Sequence, residues 1–418
     1  MLIPGQTLPL TIEKPAVGGR MIARANGQVV LVSGAIPGER VHARIERVAK
    51  GVAYAETVGV DDPSPDRRTD VRDPLCGGCL YTHIAYPRQL EIKSLVIADA
   101  FQRIGRLPLQ SPVRVAASPE EGYRMRARLH VRGGRIGFFR EGTHDLCEAR
   151  QTRQLLPSTC DAIDTLAAAI RNDTIDGIRE LELSENVDAS ERAVFVDAVP
   201  EIRANLLERL AGVGGFSGML GSSGSFGSPH VVESLAIGEG KSLRLRRHVL
   251  SFFQGNRHLL ADFVAHVVAQ VPEHGDVLDL YAGVGLFAVA AAAARQARVT
   301  AVEGDRFSAA DLAANAAAAD DAVATVHESV ELFVASAAGV RAPTVIVDPP
   351  RTGMSREAIH GVLRLNAPRL IYVSCDLATL ARDARRSVDA GYTIDRIDAF
   401  DMFPNTPHVE TVVVFTRR

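Results

Sequence analysis

The sequence predicts an α/β protein in three parts: a doubly wound parallel sheet at the carboxyl end, a small N-terminal β-barrel, and a β-containing central region between them. Three observations carry this expectation. After about Leu243 apolar strand runs alternate with helical runs, the pattern of a parallel sheet covered on both faces. From Leu8 to about Val60 short β-rich runs alternate with turn signals, as in a small barrel. The length, 418 residues, favours two or three domains over a single core. The expected division is 1–62, 63–242 and 243–418.

In the first part, LTIEK, QVVLVSG, RVHARIERV and AYAETVGV are separated by Gly18-Gly19, Asn26-Gly27 and Pro37-Gly38, which gives four or five strands. Seven basic side chains stand against four glutamates in residues 1–60, although the whole chain carries a net charge of −3. A local basic surface able to meet RNA is one reading, a solvated surface the other. DDPSPDRRTD is polar and proline-punctuated, marking a boundary near residues 61–70. Leu90, Leu95, Ala98, Phe101 and Ile104 recur at helical spacing, so a single amphipathic helix is expected over 86–105, ending at Gly105. Residues 121–140 read as a hairpin turning at Gly133-Gly134, with Arg124, Arg126 and Arg128 on one strand face, suited to phosphate unless partnered within the protein. The glycine- and serine-rich stretch 212–229 reads as a mobile loop or weak hairpin.

Apolar residues make up 46% of the chain and charged residues 23%. No run reaches about eighteen uninterrupted apolar residues, the length a membrane helix needs. The start, MLIPGQTLPLTIEK, lacks the basic and apolar regions of a secretory signal. A soluble cytoplasmic protein is expected. Five cysteines, at 76, 79, 147, 160 and 375, are too few and odd in number for a disulfide framework.

In the last part, DVLDLYAG closes a strand and Gly283-Val284-Gly285 opens a helix. Glycines at such a turn let a ligand approach the backbone, at the rim formed by strand carboxyl ends. Glu303 closes the next strand about twenty residues later, where a carboxylate accepts hydrogen bonds from the ribose hydroxyls of an adenosine-containing cofactor. The third glycine of the dinucleotide fingerprint is missing. S-adenosylmethionine, which has no phosphate, fits better than NAD. Asp348-Pro349-Pro350-Arg351 and Ser374-Cys375-Asp376 each follow an apolar strand, so both lie on the same rim. The two prolines make a stiff wall for a planar substrate. Asp376 opens a helix, and Cys375 near its N-terminus is expected to be stabilised as thiolate, the nucleophilic form; the alternative is a small buried apolar side chain.

Together, DLYAGVGLFA, AVEGD, VDPPRTG, YVSCD and HVETVVVF resemble, in order and spacing, the S-adenosylmethionine-dependent RNA uracil-5-methyltransferases. Residues 1–60 are similar to the RNA-binding TRAM barrel of that family, and FFQGN at 252–256 to its cofactor- and substrate-contacting segment. The likeness covers most of the chain and is weakest across 155–240. It implies a class I (Rossmann-like) methyltransferase domain after a TRAM barrel. It implies Cys375 as a nucleophile toward uracil carbon-6 and Glu410 as the base removing the carbon-5 proton. It also implies Gln254, Tyr281, Glu303 and Asp348 as cofactor-binding residues, with a flipped base in RNA as substrate. A monomer is expected. Ribosomal RNA is the expected target and transfer RNA the alternative. A catalytically silent RNA-binding protein and an exocyclic amine methyltransferase are rival readings. The latter would carry an aromatic residue where Arg351 stands.

Cys76-Gly77-Gly78-Cys79 is similar to the iron–sulfur segment of ribosomal-RNA members. By that resemblance four thiolates are needed, near positions 70, 76, 79 and 152, but Asp70 and Thr152 occupy two of them. The expectation is therefore no intact cluster, with Cys76 and Cys79 as remnants of a metal site and a zinc site at Cys76, Cys79, Cys147 and Cys160 as a minor alternative.

Overall fold

The computed structural model describes residues 2–70, 72–238, 240–319, 321–337 and 341–417. Its first unit is a curled six-stranded sheet in the order Thr7–Thr11, Arg40–Ala49, Val52–Asp62, Gln28–Ser33, Met21–Ala25, Lys14–Pro15. The curl closes where Ile12 N donates to Glu39 O and Glu13 N to Ile22 O. Residues 40–45 alternate exposed and buried, the period-two pattern of a strand with one face inward, and Val41, Ala43 and Ile45 join Leu10, Met21, Val30 and Val32 in the core. Glu39 is fully buried. Burial alone would raise its carboxyl, but Arg67 and the amides of Ser64 and Ile36 hold it below the ordinary value. Arg67 reaches it with Nε and Nη2, both at 2.6 Å, tying the barrel to the linker.

The local basic excess is largely spent inside the protein. Lys14, Arg20, Arg24, Arg40 and Arg44 pair with Asp99, Glu46, Glu13, Asp61 and Glu56. Among the described residues of the barrel, Arg47, stacked on Tyr54 at 3.5 Å, and Lys50 are left exposed without an acidic partner.

The central unit is a seven-stranded sheet, ordered Leu146–Glu148, Arg135–Phe139, Arg126–Arg132, Ile178–Glu185, Arg192–Ala198, Gly218–Gly221, Gly224–Gly227. Helices Pro157–Asn172 and Ala204–Gly214 pack against it, and Leu129, Leu166, Leu183, Val196, Leu207 and Met219 share one apolar cluster. The glycine- and serine-rich stretch forms the edge hairpin of this sheet. Arg124, Arg126 and Arg128 do share a face, but not one free for phosphate. Arg124 donates to Gln154 Oε1 at 2.7 Å, Arg128 to Glu182 at 2.7 Å, and Arg126 lies 3.9 Å from the same glutamate.

The third unit is an eight-stranded sheet. Five parallel strands run in the order Val323–His327, Arg298–Glu303, Asp276–Leu280, Thr344–Val347, Arg369–Ser374; Glu410–Thr416 and Thr393–Phe400 add antiparallel. The order reverses at Asp276–Leu280, which opens a crevice outside the strand carboxyl ends. The expected helix over 86–105 is an α-helix, Tyr86–Ala100, finished by a π-helical turn, Phe101–Gly105. It does not pack with the central sheet, as the 63–242 unit implied. Ile92, Val96, Ile97 and Phe101 lie in one core with Leu380, Ala381 and Ala384, and Val115–Ala116 adds to the edge of the eight-stranded sheet. The chain leaves the central sheet at Gly227, and the hairpin His230–Ala236 with Ser242–His248 leads into the third unit. The 242/243 boundary therefore falls within that hairpin.

Candidate active site

Each residue picked out along the catalytic part lies at one rim because of the strand it follows. Tyr281, Glu303, Asp348 and Cys375 stand at or just past the carboxyl ends of parallel strands. Glu410 opens an antiparallel strand whose register pairs it with Phe400 and sets Thr411 opposite Ser374. A residue at the start of an antiparallel strand reaches the same rim as one at the end of its parallel neighbour.

The glycine turn is shaped for a close ligand. Tyr281 has φ +61° and Gly283 +56°, with open space where a Cβ would stand on Gly283. Gly285, at φ +92°, caps helix Leu286–Arg295, and a Cβ there would meet Leu312 at 2.8 Å. Glu303 accepts from Gly283 N at 2.7 Å and Asp305 N at 2.6 Å. These bonds fix its carboxylate beside the turn and leave lone pairs for ribose. Beneath the turn, Asp279 is fully buried and no side chain of the described residues donates to its carboxylate; the amide of Ala288 is the backbone group that faces it. Burial, then Asp348, push its carboxyl well above the ordinary value. An orphaned buried carboxylate is costly, and one beneath an open glycine turn fits a ligand carrying a cationic amino group. Within DVLDLYAG the motif alone assigns Asp279 no role; its signal is an acid flanked by Leu278 and Leu280 in the buried part of the strand.

Segment 252–256 is set by Asp311, which accepts from His248 N at 2.5 Å and Ser251 Oγ at 2.6 Å. Gln254 then donates to Asp348 Oδ2 at 3.3 Å, joining this segment to the proline loop. That loop turns tightly, with Gly353 N donating to Pro350 O at 2.7 Å. Phe252 is 61% exposed, an aromatic face available to a partner.

Asp376 caps helix Leu377–Asp389 by accepting from Thr379 N at 2.8 Å, so Cys375 stands one residue before a helix start, as expected. The expected thiolate environment is not what surrounds it. Burial, then the carboxylate of Glu410, push the thiol up to about 12; Arg351 opposes them and Asp348 adds to them. The helix end and one arginine are outweighed by two acids and loss of water. Glu410 is 2% exposed and pushed well above the ordinary carboxylate range by burial, then by Asp348, with Arg351 opposing. Asp348 is pushed up to about 7, chiefly by burial. His408, two residues before Glu410, keeps part of its ring in solvent, and partial loss of water, then Arg351, lower its imidazole to about 4. One half-buried thiol, two carboxyls of raised basicity and one cation thus stand close enough at this rim to act on one another's charge.

Comparison with known proteins identifies the family. Residues 3–58 match the TRAM domain and residues 221–418 the tRNA (Uracil-5-)-methyltransferase family. The chain is 32% identical over 439 residues to a 23S rRNA (uracil(1939)-C(5))-methyltransferase of Pseudomonas putida, covering 98% of this chain and 94% of that protein. This chain is an RNA uracil-5-methyltransferase family member. A similar enzyme from Acidithiobacillus ferrooxidans is also 32% identical, covering 97% of this chain and 96% of that one. The fold matches the crystal structure of Pyrococcus abyssi tRNA (uracil-54, C5)-methyltransferase in complex with S-adenosyl-L-homocysteine, with a TM-score of 0.77, 25% identity, and 97% of this chain and 99% of that one covered. Membership of the RNA uracil-5-methyltransferase family makes the activity S-adenosylmethionine-dependent. No helix of the described residues is long and apolar enough to cross a membrane.

The iron–sulfur segment of other family members does not fit here. Asp70 accepts from Arg72 Nε at 2.8 Å and Nη2 at 2.5 Å. Thr152 donates to Ala149 O at 2.7 Å, and Cys76 is joined to Cys147 by a disulfide. Cys79 remains a buried thiol, pushed up to about 11 by burial. Asp70, at a position where a ligand thiolate is expected, is spent on Arg72 instead. The zinc alternative loses two of its four sulfurs to the same disulfide. Among the described residues, no group of three histidine, cysteine or acidic side chains is placed to hold a metal.

Proposed function

We propose that this protein forms 5-methyluridine in 23S ribosomal RNA through a covalent bond between Cys375 and uracil carbon-6. The observation that carries the reading is that Cys375, Glu410, Asp348 and Arg351 lie close enough at one rim to act on one another's charge, beside the Gln254–Asp348 contact. The relatives named for 23S rRNA methylation support the substrate.

Uracil carbon-5 is a poor nucleophile while the ring is conjugated. The Cys375 sulfur adds to carbon-6, and the electron pair of the 5,6 double bond moves onto carbon-5 and the adjacent carbonyl. When bound, S-adenosylmethionine supplies an electrophilic methyl group, which carbon-5 takes as the sulfonium becomes a neutral thioether. Glu410 then removes the carbon-5 proton, the double bond re-forms, and the carbon–sulfur bond breaks to return the thiolate. Covalent catalysis divides one difficult substitution into easier steps. The raised basicity of Glu410 suits the proton it must take. Glu303 would hold the ribose hydroxyls of the donor, Gln254 and Asp348 its methionine end or the uracil edge, and Tyr281 and Asp279 would complete its site from the glycine turn. A base must leave its stack to reach the sulfur, so the target uridine is unpaired or flipped. We further infer a monomeric, cytoplasmic enzyme of three units, divided at about residues 62 and 228, with the helix Tyr86–Ala100 and the strand Val115–Ala116 packed into the third.

Labelled methyl transfer to protein-free 23S rRNA and to tRNA from a strain lacking this protein, followed by nucleoside analysis, tests the reading. The expected product is 5-methyluridine in 23S rRNA, lost with Cys375→Ala. Methylation of tRNA alone would overturn the substrate, and a methylated exocyclic amine the reaction.

A further inference from the structure

The helix Tyr86–Ala100 carries a polar stripe that the reaction leaves unused. Tyr86, Gln89 and Lys93 follow one another at intervals of three and four, on one face. Gln89 and Lys93 are fully buried among Ile92, Val96 and Ile97. A buried ammonium is costly unless paired. Here Lys93 Nζ lies 2.5 Å from Asp401 Oδ1, itself fully buried, and donates to Phe403 O at 3.1 Å. Gln89 Nε2 donates to Asn405 Oδ1 and its Oε1 accepts from Asn405 N, both at 3.0 Å.

These partners all lie in one stretch of chain. Residues 401–409 connect Thr393–Phe400 to Glu410–Thr416, so they deliver Glu410 to the rim. Two further side chains hold the same stretch from outside the sheet. Arg68 donates to Asn405 Oδ1 at 2.8 Å, and Asn256, two residues after Gln254, donates to Met402 O at 3.2 Å. A buried ion pair adds little to stability compared with apolar side chains of similar size, but it selects one arrangement.

We propose that Lys93 and Gln89 are positioning residues for proton removal: through Asp401 and Asn405 they fix the connection that aims Glu410 at uracil carbon-5. This rests on the reading of Glu410 as the base. Its consequence is specific to one step, because the base acts after the carbon–sulfur bond and the methyl group are in place. A displaced Glu410 leaves the methylated adduct unresolved, whereas a loosened fold slows adduct formation itself.

The test uses the full-length enzyme, S-adenosylmethionine and ordinary uridine-containing 23S rRNA fragments, with denaturing gels that show protein bound to RNA. Glu410→Gln is the reference for a missing base. Lys93→Met with Asp401→Leu leaves no charge buried, and Gln89→Met changes no charge. The expected result is adduct accumulating at least about tenfold over the parent in Glu410→Gln and in both other variants, as a displaced catalytic group implies. Formation of the adduct on 5-fluorouridine RNA, which needs no proton removal, stays close to the parent rate. Accumulation in Glu410→Gln alone overturns the positioning role. Parallel loss of turnover and of fluorouridine adduct, without accumulation, overturns it as well. No accumulation in Glu410→Gln removes the base assignment and the proposal with it.

Discussion

The sulfur of Cys375 works against its surroundings. With the thiol pushed up to about 12, the proposed mechanism requires its proton to leave as the carbon–sulfur bond forms. Alkylation by iodoacetamide at pH 8.5 reads this balance. Arg351→Met, which removes the opposing cation, is expected to slow labelling of Cys375 severalfold, and Asp348→Asn to speed it; equal rates in both would contradict the charge assignment. Asp348 makes a second expectation. Its carboxyl is raised from 3.8 to about 7 on folding, so the folded state holds a proton that the unfolded state has released. The stability this contributes is complete below pH ~4 and is lost as pH rises through ~7. Asp348→Asn should therefore gain thermal stability relative to the parent between pH 4.5 and pH 8, by a few degrees at the upper end. The sequence placed the rim residues because strand-end position follows from local pattern. It misjudged the thiol because the acids that act on it come from other strands. It gave Asp279 no role because a strand interior gives no sign of which way an acid faces.

At the level of elements, turns and caps hold the chemistry. Gly353, at φ +71°, closes the proline loop, and a Cβ there would meet Thr379 at 2.6 Å and Arg382 at 2.9 Å. Gly353→Ala should cost about 1–2 kcal/mol in backbone strain alone, read as a lower Tm, and should lower methyl transfer by displacing Arg351. The parallel strands and their helices were legible because apolar runs and glycine turns are local signals. The reversed direction of Glu410–Thr416 was not, since it depends on where residues 401–409 lead the chain. The phosphate face at Arg124, Arg126 and Arg128 failed because its partner Glu182 lies on a neighbouring strand, beyond the reach of any window. In the barrel, the cations without an acidic partner are Arg47 and Lys50. Replacing both with alanine should weaken binding to 23S rRNA fragments and reduce the slope of log affinity against log salt by roughly one to two; an unchanged slope would place the RNA elsewhere.

Across the whole molecule, one apolar core runs from the barrel through the helix Tyr86–Ala100 to the catalytic sheet, and the central sheet has a core of its own. The barrel and the catalytic sheet therefore share one packed interior. Composition foretold several units, but not that residues 86–116 belong with the last one, because a helical stripe does not name its partner. The central claim is the bond between Cys375 and uracil carbon-6. It is tested most directly by incubating the enzyme with S-adenosylmethionine and 5-fluorouridine-substituted 23S rRNA fragments, then digesting and mapping the adduct by mass spectrometry. The account predicts a methylated fluorouridine on the peptide containing Cys375, absent in Cys375→Ser. A folded, donor-bound enzyme that methylates the RNA without forming this adduct, or forms it on another residue, would contradict it.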